Sequence, residues 1–118
     1  MPTDQLSRTF AALADPTRRD LVARLTLGDA TLTELAATYP MSLQAVSKHL
    51  GVLEKAGLVS RGKDAQRRPV HLETTVLEPA TDWLETYRRK AEDRYQRLDA
   101  VLADIPDTPL DTSAGGLR

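Results

Sequence analysis

The tightest constraint on the fold lies between Thr31 and Gly57, where two helical segments are separated by little more than the turn Tyr39-Pro40-Met41. The first opens on Thr-Leu-Thr-Glu, a capping box in which the side chains of Thr31 and Glu34 each accept from the other's backbone amide. Leu32, Leu35 and Ala36 then face inward before Tyr39 and Pro40 end the segment. Ser42 can cap the second helix, whose Val46, Leu50 and Leu53 share one side, and Gly57 supplies the left-handed residue that stops it. Two short helices on so tight a turn form a helix-turn-helix.

The flanking segments complete the arrangement. Leu6, Phe10 and Leu13, after a cap at Thr3 or Asp4, form one narrow apolar stripe. Asp15 and Pro16 start another helix, capped by a carboxylate and opened by a residue that has no amide to satisfy; Leu21, Val22 and Leu25 point inward and Gly28 closes it. Beyond Gly57 the period shortens. Leu58, Val59, Val70 and Leu72 are strand-like around a polar turn from Gly62 to Gln66, and Pro69, which cannot donate to a ladder, suggests an edge strand.

From Val76 to Ile105 apolar residues recur almost in heptads: Leu77, Ala80, Leu84, Tyr87, Ala91, Leu98, Val101 and Ile105, with Arg94 breaking the series. A helix of some 25 residues spans about 40 Å, more than a small core covers, so this stripe is expected to pack on a second copy of the chain. The tail has two prolines, two glycines and few large apolar groups, which predicts disorder. The expectation is therefore a mainly α fold with a small β-hairpin: a dimeric winged helix-turn-helix in the order four helices, two strands and a fifth helix. Residues 1–105 form the DNA-binding and dimerisation domain and 106–118 the tail.

The chain's 118 residues carry a net charge of −1, but the charges are uneven. Between Ser42 and His71 stand six basic residues (Lys48, Lys55, Arg61, Lys63, Arg67, Arg68) and two acidic ones (Glu54, Asp64), a surplus of four that leaves the remainder net acidic. On the helix after Ser42, Gln44, Lys48, Gly51 and Lys55 fall opposite Val46, Leu50 and Leu53. A glutamine amide bonds adenine in bidentate fashion and a lysine reaches guanine or phosphate, while Ser42 and Ser47 suit phosphate oxygens. Any surface helix needs polar residues, yet a tight turn before this one and a basic hairpin after it are explained together by one DNA-facing surface. Arg61, Lys63, Arg67 and Arg68 would follow the backbone or enter the minor groove.

Other chemistry is poorly supplied. Cysteine is absent, which removes disulfides, thiolate nucleophiles and thiolate metal sites. His49 sits at the border of the buried and open faces with Val52 and Leu53 at the spacing where a metal ligand would need partners, and the second histidine, His71, is on a strand. A hydrogen bond to phosphate or to a neighbouring turn suits His49 better. The carboxylates of the last helix are interleaved with Arg88, Arg89, Lys90, Arg94 and Arg97, as in a solvated, charge-paired surface, and no nucleophile has a base beside it. No catalysis, metal or cofactor is expected. The first residues lack the blocks of a signal peptide, and no apolar run approaches the roughly 18 residues of a membrane span, so the chain reads as soluble and cytoplasmic.

The runs "ALADPTRRDLVARL", "TLTELAATYPMSLQAVSKHLGVLEKAGLVSR" and "RRPVHL" together resemble the ArsR-type (ArsR/SmtB) winged-helix repressors over nearly the whole chain. The last helix further resembles a subgroup without metal sites. The resemblance implies a homodimer joined through the first and last helices, with Leu6, Phe10, Leu84, Tyr87, Ala91 and Leu98 at the interface. It also implies a repressor that occludes a promoter at a two-fold symmetric operator. Carried over by position, recognition-helix contacts fall on Ser42, Gln44, Ala45, Ser47, Lys48 and His49, and wing contacts on Lys63 to Arg68, chiefly Lys63, Gln66, Arg67 and Arg68. Metal-sensing members carry cysteines on the third helix, where this chain has "ELAATY", or Asp and His on the last, where it has no histidine. The expected partners are thus double-stranded DNA and a second copy, with no membrane and with room for a small-molecule effector the sequence does not identify. The competing reading is a winged-helix module for protein association without sequence-specific DNA binding.

Overall fold

A computed structural model of the chain describes residues 4–62 and 68–105. The order is α1 (Gln5–Ala12), α2 (Pro16–Leu25), α3 (Leu32–Ala36), α4 (Leu43–Lys55), β1 (Val59–Arg61), β2 (Val70–Leu72), a 3-10 turn (Thr74–Leu77) and α5 (Glu78–Asp104). The chain divides into two compact units, Met1–Asp82 and Trp83–Arg118. The expected tail, 106–118, lies outside the described residues.

Local hydrogen bonding sets the helix boundaries of the first unit. The Asp15 carboxylate accepts from the Arg18 amide at 3.0 Å, and Pro16 occupies the first turn. The capping box of α3 is closed both ways, Glu34 N to Thr31 Oγ1 at 3.1 Å and Thr31 N to Glu34 Oε1 at 2.8 Å. Ser42 Oγ accepts from Ala45 N at 3.1 Å to start α4. At its far end Gly57, at φ 82°, lets the Leu58 amide reach Leu53 O and its own amide reach Glu54 O, both at 2.9 Å, the double bond pattern of a Schellman stop. Each such cap is worth about 1 kcal/mol.

The core is assembled from α2, α3, α4 and the hairpin. Leu21, Val46, Leu50, Leu53, Leu58 and Val70 are fully buried, each contributing roughly 1.5–3 kcal/mol of apolar burial. In α1 the structure departs from the stripe read in the sequence: Leu6, Phe10 and Leu13 are half-buried, and the residues that go fully inside are Thr9 and Ala12. Thr9 can be buried because its hydroxyl accepts from Gln5 Nε2 at 3.1 Å, and the same amide donates to Ala56 O at 2.7 Å, tying α1 to the end of α4.

The hairpin is antiparallel with Val59 opposite Leu72, Ser60 opposite His71 and Arg61 opposite Val70. Period-two alternation turns Val59, Val70 and Leu72 inward. Ala30, just before α3, pairs with Val70 on its other side: Val70 N donates to Ala30 O at 2.7 Å and Ala30 N to Val70 O at 3.3 Å. β2 is therefore flanked at Val70 from both sides, contrary to the edge position Pro69 suggested. Pro69 is tolerated because it precedes the strand and supplies only its carbonyl, which accepts from Gly62 N at 2.7 Å. A Cβ on Gly62 would stand 2.9 Å from the Pro69 ring, so this close approach requires glycine.

In the second unit α5 runs on as far as Asp104, and Trp83, Leu84, Tyr87, Tyr95, Leu98, Val101 and Leu102 are all exposed on it. The Trp83 and Tyr87 rings lie 4.7 Å apart between centroids and tilted by 49°, with Lys90 Nζ 5.4 Å from the centre of the Tyr87 ring. Its polar side is cross-linked: Arg88 pairs with Glu85 and Glu92, each at 2.7 Å, and Arg89 with Glu85 at 3.1 Å. Arg88 above all holds the Glu85 carboxyl down to about 2. No helix among the described residues is long and apolar enough to cross a membrane.

Candidate nucleic-acid interface

The turn before α4 is held by three side chains from α2 and the turn itself. Tyr39 donates its hydroxyl to Asp20 Oδ2 at 2.5 Å, Arg24 Nε donates to the Tyr39 oxygen at 3.0 Å and pairs with Asp20 at 2.9 Å, and its guanidinium lies 5.1 Å over the Tyr39 ring. These bonds keep the Asp20 carboxyl below its usual range, Tyr39 first and Arg24 second, while burial and then Asp20 raise the Tyr39 phenol. A tyrosine that looks like a helix terminator in the sequence thus fixes the angle between α2 and the turn.

With Val46, Leu50 and Leu53 wholly inside, α4 has one orientation available, and Gln44 and Lys48 are exposed on its outer side. Neither has a hydrogen-bond or ion-pair partner among the described residues. Gln44, Ser47 and Lys48 line one open groove of about 430 Å³ together with Leu43 and, from α3, Leu32. Ser42 stands exposed at the start of the helix with its hydroxyl already engaged as the cap, and Ala45 is half-buried. Gly51 has nothing within 4 Å of where a Cβ would be, so its surface is bare backbone.

His49 belongs to a different neighbourhood. Its Nδ1 is 3.3 Å from Arg18 Nη1 and 3.7 Å from Asp15 Oδ2, at the start of α2. Arg18 also donates from Nε to Ala12 O at 2.6 Å, closing the end of α1. The Arg18 amide, first, and His49 keep Asp15 below the ordinary carboxylate range. Arg18, Arg8 and Lys55 rim a second cleft of about 320 Å³ floored by Ala12, Val52 and Ala56.

The wing expectation divides. Lys63, Gln66 and Arg67 lie outside the described residues, and Arg68 is exposed in a left-handed conformation at φ 42°. Arg61 is turned inward beside Val59 and pairs with Glu54 of α4 at 3.4 Å, so its charge is spent within the fold and does not add to an outer basic surface. Of the expected dimer contacts, Leu6 and Phe10 are half-buried, and Leu84, Tyr87, Ala91 and Leu98 are exposed. Among the described residues no three His, Asp or Glu side chains converge as a metal site. Sequence patterning singles out neither Leu43 nor Arg8 and Arg18. The signal for Leu43 is its phase on α4, only about 40° from Ser47; nothing local marks the arginines, whose neighbours come from other helices.

Comparison with known proteins bears on the same region. Residues 13–61 match the family described as a helix-turn-helix domain. The transcriptional repressor SdpR of Bacillus subtilis (strain 168) is 31% identical over 87 residues, covering 74% of this chain and 97% of that protein. The HTH-type transcriptional regulator Rv2034 of Mycobacterium tuberculosis is 40% identical over 91 residues, 77% of this chain and 85% of the relative. Among solved structures, the ArsR family transcriptional regulator RHA00566 superposes with a TM-score of 0.70 at 36% identity, covering 75% of this chain and 98% of that one.

Proposed function

The chain belongs to the ArsR family of winged helix-turn-helix, DNA-binding transcriptional regulators, and we propose that it is a repressor acting as a homodimer, with residues 1–105 laying α4 of each protomer into the major groove of a two-fold symmetric operator. Occupation of the promoter then blocks transcription, and a promoter-bound role puts the protein in the cytoplasm. The observation that carries this reading is the open face of α4: Gln44 and Lys48 are exposed and unpartnered among the described residues, while the opposite side of the helix is wholly buried. Gln44 is the candidate for base readout, Lys48 for guanine or phosphate, and Ser42 and Ser47 for phosphate, with Ala45 close behind them and His49 acting through Asp15 and Arg18. Arg68, with Lys63, Gln66 and Arg67, would add wing contacts. Two recognition helices about 34 Å apart would then meet successive major grooves. The exposed apolar side of α5, with Leu6 and Phe10 of α1, supports the dimer.

The test is fluorescence anisotropy with duplex DNA from the region upstream of the coding sequence, titrated over a range of salt. Specific binding with a steep salt slope is expected, and Lys48→Ala should lower that slope by about two if each protomer neutralises one phosphate through it. Affinity equal to that for scrambled DNA would overturn the repressor reading in favour of a protein-association module.

A further inference from the structure

An exposed leucine on the face of a recognition helix needs an account. Leu43 is the first residue of α4 and is 47% exposed, although the same helix buries three other large apolar side chains completely. Across from it, Leu32 is the first residue of α3, so the two helices of the motif each put a leucine on the same groove. The rest of the lining is Gln44, Ser47 and Lys48, with no carboxylate. An apolar lip beside a lysine suits a polyanion that carries an apolar projection. In the major groove of B-DNA the one such group is the 5-methyl of thymine.

We infer that Leu43, with Leu32 behind it, reads the methyl group of a thymine in each operator half-site. This rests on the reading that α4 occupies the major groove, and it adds a base-specific term which the polar residues do not supply. Leu43 immediately precedes Gln44 on α4, so the methyl it reads lies in the same half-site as the base facing Gln44.

The experiment uses a duplex selected from a random pool on the full chain, then resynthesised with uracil replacing thymine one position at a time. Uracil keeps Watson–Crick pairing and the phosphates and removes only the methyl. At one position per half-site the affinity should fall roughly fourfold, the worth of burying one methyl, and roughly fifteenfold when both half-sites are changed. Leu43→Ala and Leu43→Gln should bind the thymine and uracil duplexes equally while keeping the salt slope of the unsubstituted chain. Uracil tolerated everywhere overturns the inference and leaves the repressor reading standing. A uracil penalty that survives both substitutions overturns it too, since the methyl is then read elsewhere. If no duplex is selected, the parent reading fails and this falls with it.

Discussion

α4 and α5 are both amphipathic helices, yet they use their two sides in opposite ways. On α4 the apolar side is consumed within its own unit, with Val46, Leu50 and Leu53 at zero exposure, and Gln44 and Lys48 on the polar side are left open. On α5 part of the polar side is paired within the helix through Glu85, Arg88, Arg89 and Glu92, and the apolar side, from Trp83 to Leu102, stands exposed. A helix whose apolar side stays open has that side to offer; a helix whose apolar side is buried has its polar side to offer. The first suits a second copy of the chain and the second a nucleic acid.

The widest contrast should come from truncating one leucine on each helix. Leu50→Ala leaves a cavity in the core and should cost about 3 kcal/mol, lowering the melting temperature by more than about 10 °C at any protein concentration, whereas Leu98→Ala should cost less and act through dimerisation, making the melt more dependent on protein concentration. Equal losses by thermal denaturation would erase the distinction. Next in size, Leu84→Glu puts a charge into the exposed stripe and should give a monomer in sedimentation velocity; a persistent dimer would show that another surface holds it. A finer separation is available at Gly51. The space around it is empty, so Gly51→Ala should stabilise the free protein by roughly 0.5–1 kcal/mol by relieving a mid-helix glycine. If duplex DNA approaches the bare backbone, the same change should weaken binding, and stabilisation with unaltered affinity would move the DNA away from this turn. The smallest effect concerns the ion-paired stretch of α5. Glu85 sits below its ordinary value, so its favourable pairing is complete above the usual carboxylate range and is lost as pH falls through about 2. A carboxyl chemical-shift titration should find that low midpoint, and Arg88→Ala should return it toward the ordinary value.

What could be read from the sequence was what neighbouring residues decide among themselves. Asp15 with Pro16, Thr31 with Glu34, Ser42 and Gly57 each close a local set of backbone hydrogen bonds, and these four helix boundaries follow from residues no more than five positions from the bonds they control. The inward side of α4 was equally legible because its period is regular. What escaped was decided by contacts distant in sequence. Thr9 is buried under a Gln5 amide that also reaches Ala56, Val70 gains a second partner in Ala30, Arg61 pairs with Glu54, and His49 meets Arg18 thirty-one residues away. For the candidate site, Gln44 and Lys48 follow from phase alone, while Leu43 emerges only when Leu32 of the preceding helix is placed beside it.

The contact between Arg18 and His49 makes one side chain of α2 a junction of three helices. Its guanidinium donates to the Ala12 carbonyl at the end of α1 and lies 3.3 Å from the imidazole of α4, whose Nδ1 is also 3.7 Å from the Asp15 carboxylate. The arginine that closes the end of α1 thus also braces a residue in the middle of α4, and α1, α2 and α4 share one pivot.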